Sequence, residues 1–185
     1  RRRRSSRGAA RRRGRRRAGR GGRRLGGRGP DRGGVDGGEP ALNRYLQGLA
    51  TQHHRAGVAT THVLVEQRAP SQILGYYSLA AAQMSLAELT AADQRRLPRH
   101  PVPVARLARL AVALGEQGHG LGEALLQDVV TRCLGLRTEL GIHALLVDAL
   151  HARAAAFYRR YGFRETTDDA LTLYLPLGSA GQGEG

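Results

Sequence analysis

The strongest constraint in this chain is a change of rhythm between residues 107 and 126. Leu107-Ala108-Arg109-Leu110-Ala111-Val112-Ala113 is an apolar run interrupted by one arginine. Gln117-Gly118-His119-Gly120-Leu121-Gly122 follows, and Glu123-Ala124-Leu125-Leu126 then opens an amphipathic segment. An apolar run, a glycine-rich turn and a helix in that order build a place to hold an anion. Without a Cβ, the backbone approaches a ligand closely. The unpaired N–H groups of the first helical turn and the positive end of the helix dipole then face the anion. A nucleotide P-loop is excluded because it needs Gly-Lys-Ser/Thr and the chain has no lysine. A dinucleotide fingerprint is excluded because Glu123 stands where its third glycine belongs.

The flanking sequence predicts a mixed α/β (α+β) domain. Pro40 starts a helix whose Leu42, Tyr45, Leu46 and Leu49 share one face, ending near Gly57. Thr61–Glu66 and Ile73–Leu79 read as a hairpin around a turn at 67–72 containing Pro70. A polar helix is expected over 85–96, with Ser85 and Glu88 as a capping box. Pro98, Pro101 and Pro103 forbid a helix before about Val104. Residues 104–114 fit both a strand and a helical stripe. Leu121, Leu125, Val129 and Cys133 recur every fourth position, which predicts a helix to about Arg137. Residues 142–149 read as a buried strand, 152–161 as a helix stopped by Gly162, and 171–175 as a last strand.

Charge divides the chain. Its net +15 resides in residues 1–34, which hold 16 Arg and one Asp with Leu25 as the only large apolar side chain; residues 35–185 balance to zero. Such an arm cannot bury enough surface to offset chain entropy, so 1–34 is expected to be disordered. It reads as a nucleic-acid-binding arm, as a solvated tail, or as a degraded or frame-shifted start. Residues 35–177 are expected to form the domain and 178–185 a flexible tail. No run of 18 apolar residues suggests a membrane span. The single cysteine, Cys133, fits a buried thiol in a reducing cytoplasm. The seven histidines show no metal-ligand spacing, so no metal is expected.

Gln117-x-x-Gly120-x-Gly122, placed after a strand and opening a helix, resembles the coenzyme A pyrophosphate motif of the GNAT N-acetyltransferases. Downstream, Arg153-Ala154-Ala155-Ala156-Phe157-Tyr158-Arg159-Arg160-Tyr161-Gly162-Phe163 is similar to the GNAT helix that carries a tyrosine and ends in Gly-Phe. Residues 38–46, 73–79, 97–103 and 109–112 narrow the resemblance to the GNAT toxins of bacterial toxin–antitoxin pairs. It spans roughly residues 31–177.

The resemblance implies a GNAT fold, acetyl-CoA as co-substrate and the α-amine of aminoacyl-tRNA as acceptor, so that translation is blocked. It implies a strand over 107–113 whose Leu110, Ala111 and Val112 pair with the pantetheine arm. Backbone N–H groups of Gln117, Gly118, His119, Gly120, Leu121 and Gly122 would hold the pyrophosphate, and Tyr158 would protonate the leaving thiolate. A ribbon-helix-helix antitoxin is the implied partner; homodimerisation is left open. Arg96, Arg99, Arg109, Arg159 and Arg160 are candidates for tRNA contact, with Arg95, Arg106, Arg153 and Arg164 behind them. The chain departs from the family at His151, where many members carry Asn, and at its front end. There Pro30-Asp31-Arg32-Gly33-Gly34-Val35-Asp36-Gly37-Gly38 keeps an echo of the family motif, but the preceding apolar strand is replaced by Arg and Gly. The first strand is therefore expected to be lost or degraded. Two rival readings are an acetyltransferase for a protein N-terminus or small amine, and an inert GNAT remnant with a nucleic-acid-binding arm.

Overall fold

The computed structural model describes the backbone of Arg23–Arg24, residues 35–67 and residues 69–178. The expectations for residues 1–34 and 178–185 as unstructured arms lie, apart from Arg23, Arg24 and Gly178, outside the described residues. The strands are β1 (Arg23–Arg24), β2 (Thr60–Glu66), β3 (Ala69–Met84), β4 (Val102–Val112), β5 (Ala144–Asp148), β6 (Arg164–Glu165) and β7 (Thr172–Pro176). They form one mixed sheet in the order β1-β2-β3-β4-β5-β7-β6. The β4–β5 pair is parallel and all others are antiparallel. The helices are α1 (Pro40–Arg44), α2 (Ala50–Arg55), α3 (Ala91–Gln94), α4 (Leu121–Leu140) and α5 (Ala152–Arg160). The parallel pair is joined by the α4 crossover, as parallel strands require. No helix among the described residues is long and apolar enough to cross a membrane.

Strand alternation sorts the core onto two faces. Tyr77, Leu107, Leu145, Val147 and Leu173 meet Leu125, Leu126, Val129 and Cys133 of α4 and Ala155 and Tyr158 of α5 on one face. The other face carries two separate clusters. Tyr76, Val63 and Ala111 pack under Leu42, Tyr45, Leu46 and Ala50, whereas Met84, Val102, Val104, Leu146 and Tyr174 gather around Leu89. Cys133 is fully buried, and burial pushes its thiol up to about 11.

Several local expectations are revised. The first helix contains a π-turn over Tyr45–Leu49. Its extra residue per turn rotates the buried stripe, so Ala50 is fully buried while Leu49 is 45% exposed. The 67–72 turn is tighter than expected: Glu66 already pairs with Ala69, and Pro70 to Gln72 bulge between that pair and Val65–Ile73. A bulge suits Pro70, which has no N–H for a ladder. The single helix expected over 85–96 is a 3₁₀ turn (Leu86–Glu88) followed by α3, because Leu89 leaves helical geometry to plug the core. Ser85 does cap it, accepting from the Ala87 N–H at 3.3 Å, but Thr90 opens α3. The ambiguous 104–114 stretch is strand to Val112. The short strand β6 has no counterpart in the sequence reading. At the front end, a two-residue strand survives: Arg23 and Arg24 pair with Val63 and His62 on the β2 edge.

Candidate active site

The site begins where β4 outruns β5. Their parallel pairing covers only Val104–Leu107 against Ala144–Val147, leaving Ala108–Val112 without a strand on that side. A bulge at Ala108 causes the parting: Ser78 pairs with Arg109 and Leu79 with Leu107, so β4 holds one residue more than β3 and bends away. The Ala113 N–H bonds the Leu74 carbonyl of β3 at 2.9 Å. By alternation Ala111 also turns its backbone groups to β3, while those of Leu110 and Val112 face the opening. An extended amide-bearing ligand fits that free edge as an added strand.

Beyond Val112 the chain turns through Leu114–Glu116 into α4. The Gln117 side chain fastens this turn: its Nε2 donates to the carbonyl oxygens of Gly37 and Val112, each at 3.1 Å. The Gln117 N–H is itself taken by Leu114 at 3.3 Å. Among the described residues, the N–H groups of residues 118–123 make no backbone hydrogen bond of ordinary geometry; the ladder of α4 starts with Ala124 N–H to Gly120. Gly118 and Gly120 make this possible, with φ of +78° and +81°, a region L side chains rarely adopt. These six consecutive N–H groups at the N-terminus of a 20-residue helix make up a candidate anion cradle, one residue forward of the 117–122 expected from the sequence.

Tyr158 sits on α5, 7% exposed, with its ring against Phe157 at 5.3 Å and Phe163 at 5.4 Å. Burial raises its hydroxyl well above the ordinary tyrosine value, so it keeps its proton at neutral pH. No described residue hydrogen-bonds that hydroxyl. A protonated donor without a partner is free to serve a ligand. Phe157 connects it to the cradle, since a Cβ built on Gly122 would lie 3.7 Å from Phe157 Cζ and 3.9 Å from Val112 Cγ2. The end of β4, the start of α4 and the Tyr158 helix therefore meet around one opening.

His151, at the departure from the family pattern, caps α5. Its Nδ1 accepts from the Ala154 N–H at 3.1 Å, and its Nε2 lies 3.5 Å from Glu39 Oε1. The candidate arginines lie on several elements. Arg96 and Arg99 are exposed between α3 and β4, and Arg160 is exposed in the last turn of α5. Arg159 is ion-paired with Glu165, Arg164 with Asp93 and Arg106 with Asp148. Arg109 instead lies over the Tyr45 ring, 3.8 Å from its centroid. Sequence reasoning missed the roles of Tyr45, Gly37 and Phe157. Tyr45 was visible only as one apolar position of a helix stripe, and the other two act through contacts at long sequence range.

A family model described as an acetyltransferase (GNAT) domain matches residues 58–165. This chain belongs to the GNAT acetyltransferase family. The match reaches from the start of β2 through β6, so the cradle and the Tyr158 helix of this GNAT domain both lie within it. A curated relative from Mycobacterium tuberculosis (strain ATCC 25618 / H37Rv), a tRNA-acetylating toxin, is 38% identical over 143 residues, 77% of this chain and 84% of its own. The solved structure of AtaT complexed with acetyl-methionyl-tRNAfMet superposes with a TM-score of 0.80 at 28% identity, over 84% of this chain and 94% of that one. A tyrosine-to-phenylalanine mutant of the AtaT toxin, bound to the C-terminus of the antitoxin AtaR and acetyl-CoA, superposes with a TM-score of 0.72 at 27% identity. It covers 85% of this chain and 92% of its own.

Proposed function

We propose that this protein moves the acetyl group of acetyl-CoA to the α-amine of an aminoacyl-tRNA, blocking translation in the cytoplasm as the toxin of a toxin–antitoxin pair. The observation that carries this reading is the opening itself: a β4 edge that no described strand covers beyond Leu107 leads to six N–H groups without a well-formed hydrogen bond among the described residues, beside a protonated tyrosine whose hydroxyl has no partner among them. Acetyl-CoA as donor substrate matches each part. Its pyrophosphate suits the N–H groups of residues 118–123. Its amide-bearing arm suits the backbone of Leu110 and Val112, which would hold the thioester in the orientation for attack.

In the reaction the neutral amine attacks the thioester carbonyl carbon. A C–N bond forms, the C–S bond breaks, and the electron pair leaves with sulfur. Tyr158 gives its hydroxyl proton, or a strong hydrogen bond, to that thiolate, and the new amide nitrogen releases a proton to water. An α-amine has an ordinary pKa of about 7.7–8, so a sizeable fraction is already neutral and a dedicated base is not required. Relatives that acetylate tRNA and bind acetyl-CoA support this choice of donor and acceptor, and the AtaT–AtaR complex supports an antitoxin partner, here expected to be of the ribbon-helix-helix class.

The test offers acetyl-CoA with three acceptors: charged tRNA, a peptide with a free N-terminus, and a polyamine. Transfer to charged tRNA at a far higher kcat/KM than to the other two is expected. Preference for the peptide or the polyamine would reassign the acceptor, and transfer to none would overturn the enzymatic reading.

A further inference from the structure

The sheet face opposite α4 is not uniformly apolar. Its two clusters, one under α1 and α2 and one around Leu89, are separated by a polar strip. Register places Thr61 of β2, Ser78 of β3 and Arg109 of β4 in one row across that face. Arg106 lies further down β4, paired with Asp148 at 3.3 Å while its Nε is buried without a hydrogen-bond partner. The strip crosses the sheet where the Ala108 bulge opens β4 from β5, and so borders the site from the side away from α4.

Within the strip Tyr45 is fixed from several directions. Its hydroxyl closes a buried triangle with Thr61 Oγ1 at 3.3 Å and Ser78 Oγ at 3.2 Å, the latter two 2.7 Å apart. Its ring stacks on Tyr76 at 6.3 Å and meets the edge of His53 at 5.5 Å. Arg109 rests on this buried ring. Unlike Arg106, Arg132, Arg159 and Arg164, it has no carboxylate partner among the described residues. A half-buried guanidinium, oriented by an aromatic face and left without an anion, is prepared to receive one. That anion is not the donor pyrophosphate. Three residue steps, about 10 Å of strand, separate Arg109 from Val112, and the cradle at residues 118–123 lies beyond the end of that strand.

Resting on the acetyl-transfer reading above, we infer that Arg109, seated on Tyr45, binds a phosphodiester of the acceptor. The specific group is the phosphate on the 5′ side of the terminal adenosine, the anion nearest the reacting amine in an aminoacyl-tRNA. Arg109 is then the specificity residue that separates a nucleic-acid-borne amine from a free small amine. Its planar fork matches two phosphate oxygens, which a lysine ammonium does only as a point charge.

The experiment compares two small acceptors with a free amine: an aminoacyl-adenosine joined through a stable 3′ amide, and the same compound extended by a 5′ cytidylyl phosphodiester. The readout is the ratio of kcat/KM with phosphate to kcat/KM without it. The wild-type ratio is expected to exceed unity by roughly tenfold or more, and Arg109→Gln to erase most of it, as expected for losing a hydrogen-bonded charge pair. Arg109→Lys should retain part of the ratio, and Tyr45→Leu, which removes the seat, should fall between wild type and Arg109→Gln. A merely structural role would lower both substrates together and leave the ratio unchanged, which overturns the inference. If Arg109→Gln fails to fold, the Lys and Tyr45→Leu ratios decide: both equal to wild type overturns it. Absence of transfer to either compound and to charged tRNA by the wild type rejects the function reading itself.

Discussion

Gly122 faces the ring of Phe157 across the mouth of the opening, and a methyl group added there would sit 3.7 Å from Phe157 Cζ and 3.9 Å from Val112 Cγ2. Those distances are ordinary van der Waals contact, so alanine fits without a clash. Alanine also favours the helix and restricts the unfolded chain, worth about 0.5 kcal/mol in a first turn. Yet the methyl would lie between β4 and α5, on the path proposed for the donor. Gly122→Ala is therefore expected to raise the melting temperature by about 2 °C while raising the KM for acetyl-CoA. Thermal melts and initial rates on the same preparation check both signs.

Tyr158→Phe separates chemistry from folding. The hydroxyl has no hydrogen-bond partner among the described residues, so its removal should leave the melting temperature nearly unchanged. A positioned acid typically contributes about 100-fold or more. We expect kcat to fall by that order with the KM for acetyl-CoA retained, measured by thiol release at saturating acceptor.

Gln117 acts as a fastener rather than through its own N–H. Alanine removes two bonds to carbonyl oxygens, expected to cost about 1 kcal/mol because the group is partly exposed. Glutamate is nearly the same size but sets a carboxylate against both carbonyls and adds negative charge beside the cradle. Gln117→Glu should therefore be less stable than Gln117→Ala and bind acetyl-CoA more weakly, as read by denaturant melts and calorimetric titration.

One half of the candidate site is legible in the sequence because that half is local. Gln117, Gly118 and Gly120 lie on one turn, and Tyr158 lies on one helix. The positive φ values and the free donors follow from those residues with little help from the rest of the chain. What stayed hidden depends on contacts between distant segments. Gly37 is 80 residues from the Gln117 amide that reaches it. Tyr45 becomes the seat of Arg109 only when β2, β3 and β4 align Thr61, Ser78 and Arg109 in a row. The break at Leu89 and the π-turn at Tyr45–Leu49 were likewise set by packing, which overrode a plain helical period.

Asp93 ties the segment before β4 to the far side of the sheet. Burial pushes its carboxyl up, but hydrogen bonds from Tyr174, Arg164 and Thr90, with the charge of Arg164, outweigh this and hold it below its ordinary 3.8. The unfolded chain thus takes up this proton at a higher pH than the folded one. The stability it contributes is present above about pH 4 and is lost as the pH falls through the folded value. Asp93→Asn should be less stable than wild type at pH 7, with the difference narrowing on acidification below pH 4. Urea melts across that range check the convergence.

Direct acetyl transfer to the α-amine of a charged tRNA is the reaction proposed for the opening between β4 and β5. Its most direct test incubates the protein with acetyl-CoA and charged tRNA, digests the RNA with nuclease, and weighs the aminoacyl-adenosine released by mass spectrometry. A product one acetyl group heavier, with the acetyl on the α-nitrogen, is expected from wild type and should be nearly absent with Tyr158→Phe. Unmodified aminoacyl-adenosine in the wild-type digest, or equal acetylation by Tyr158→Phe, would contradict it.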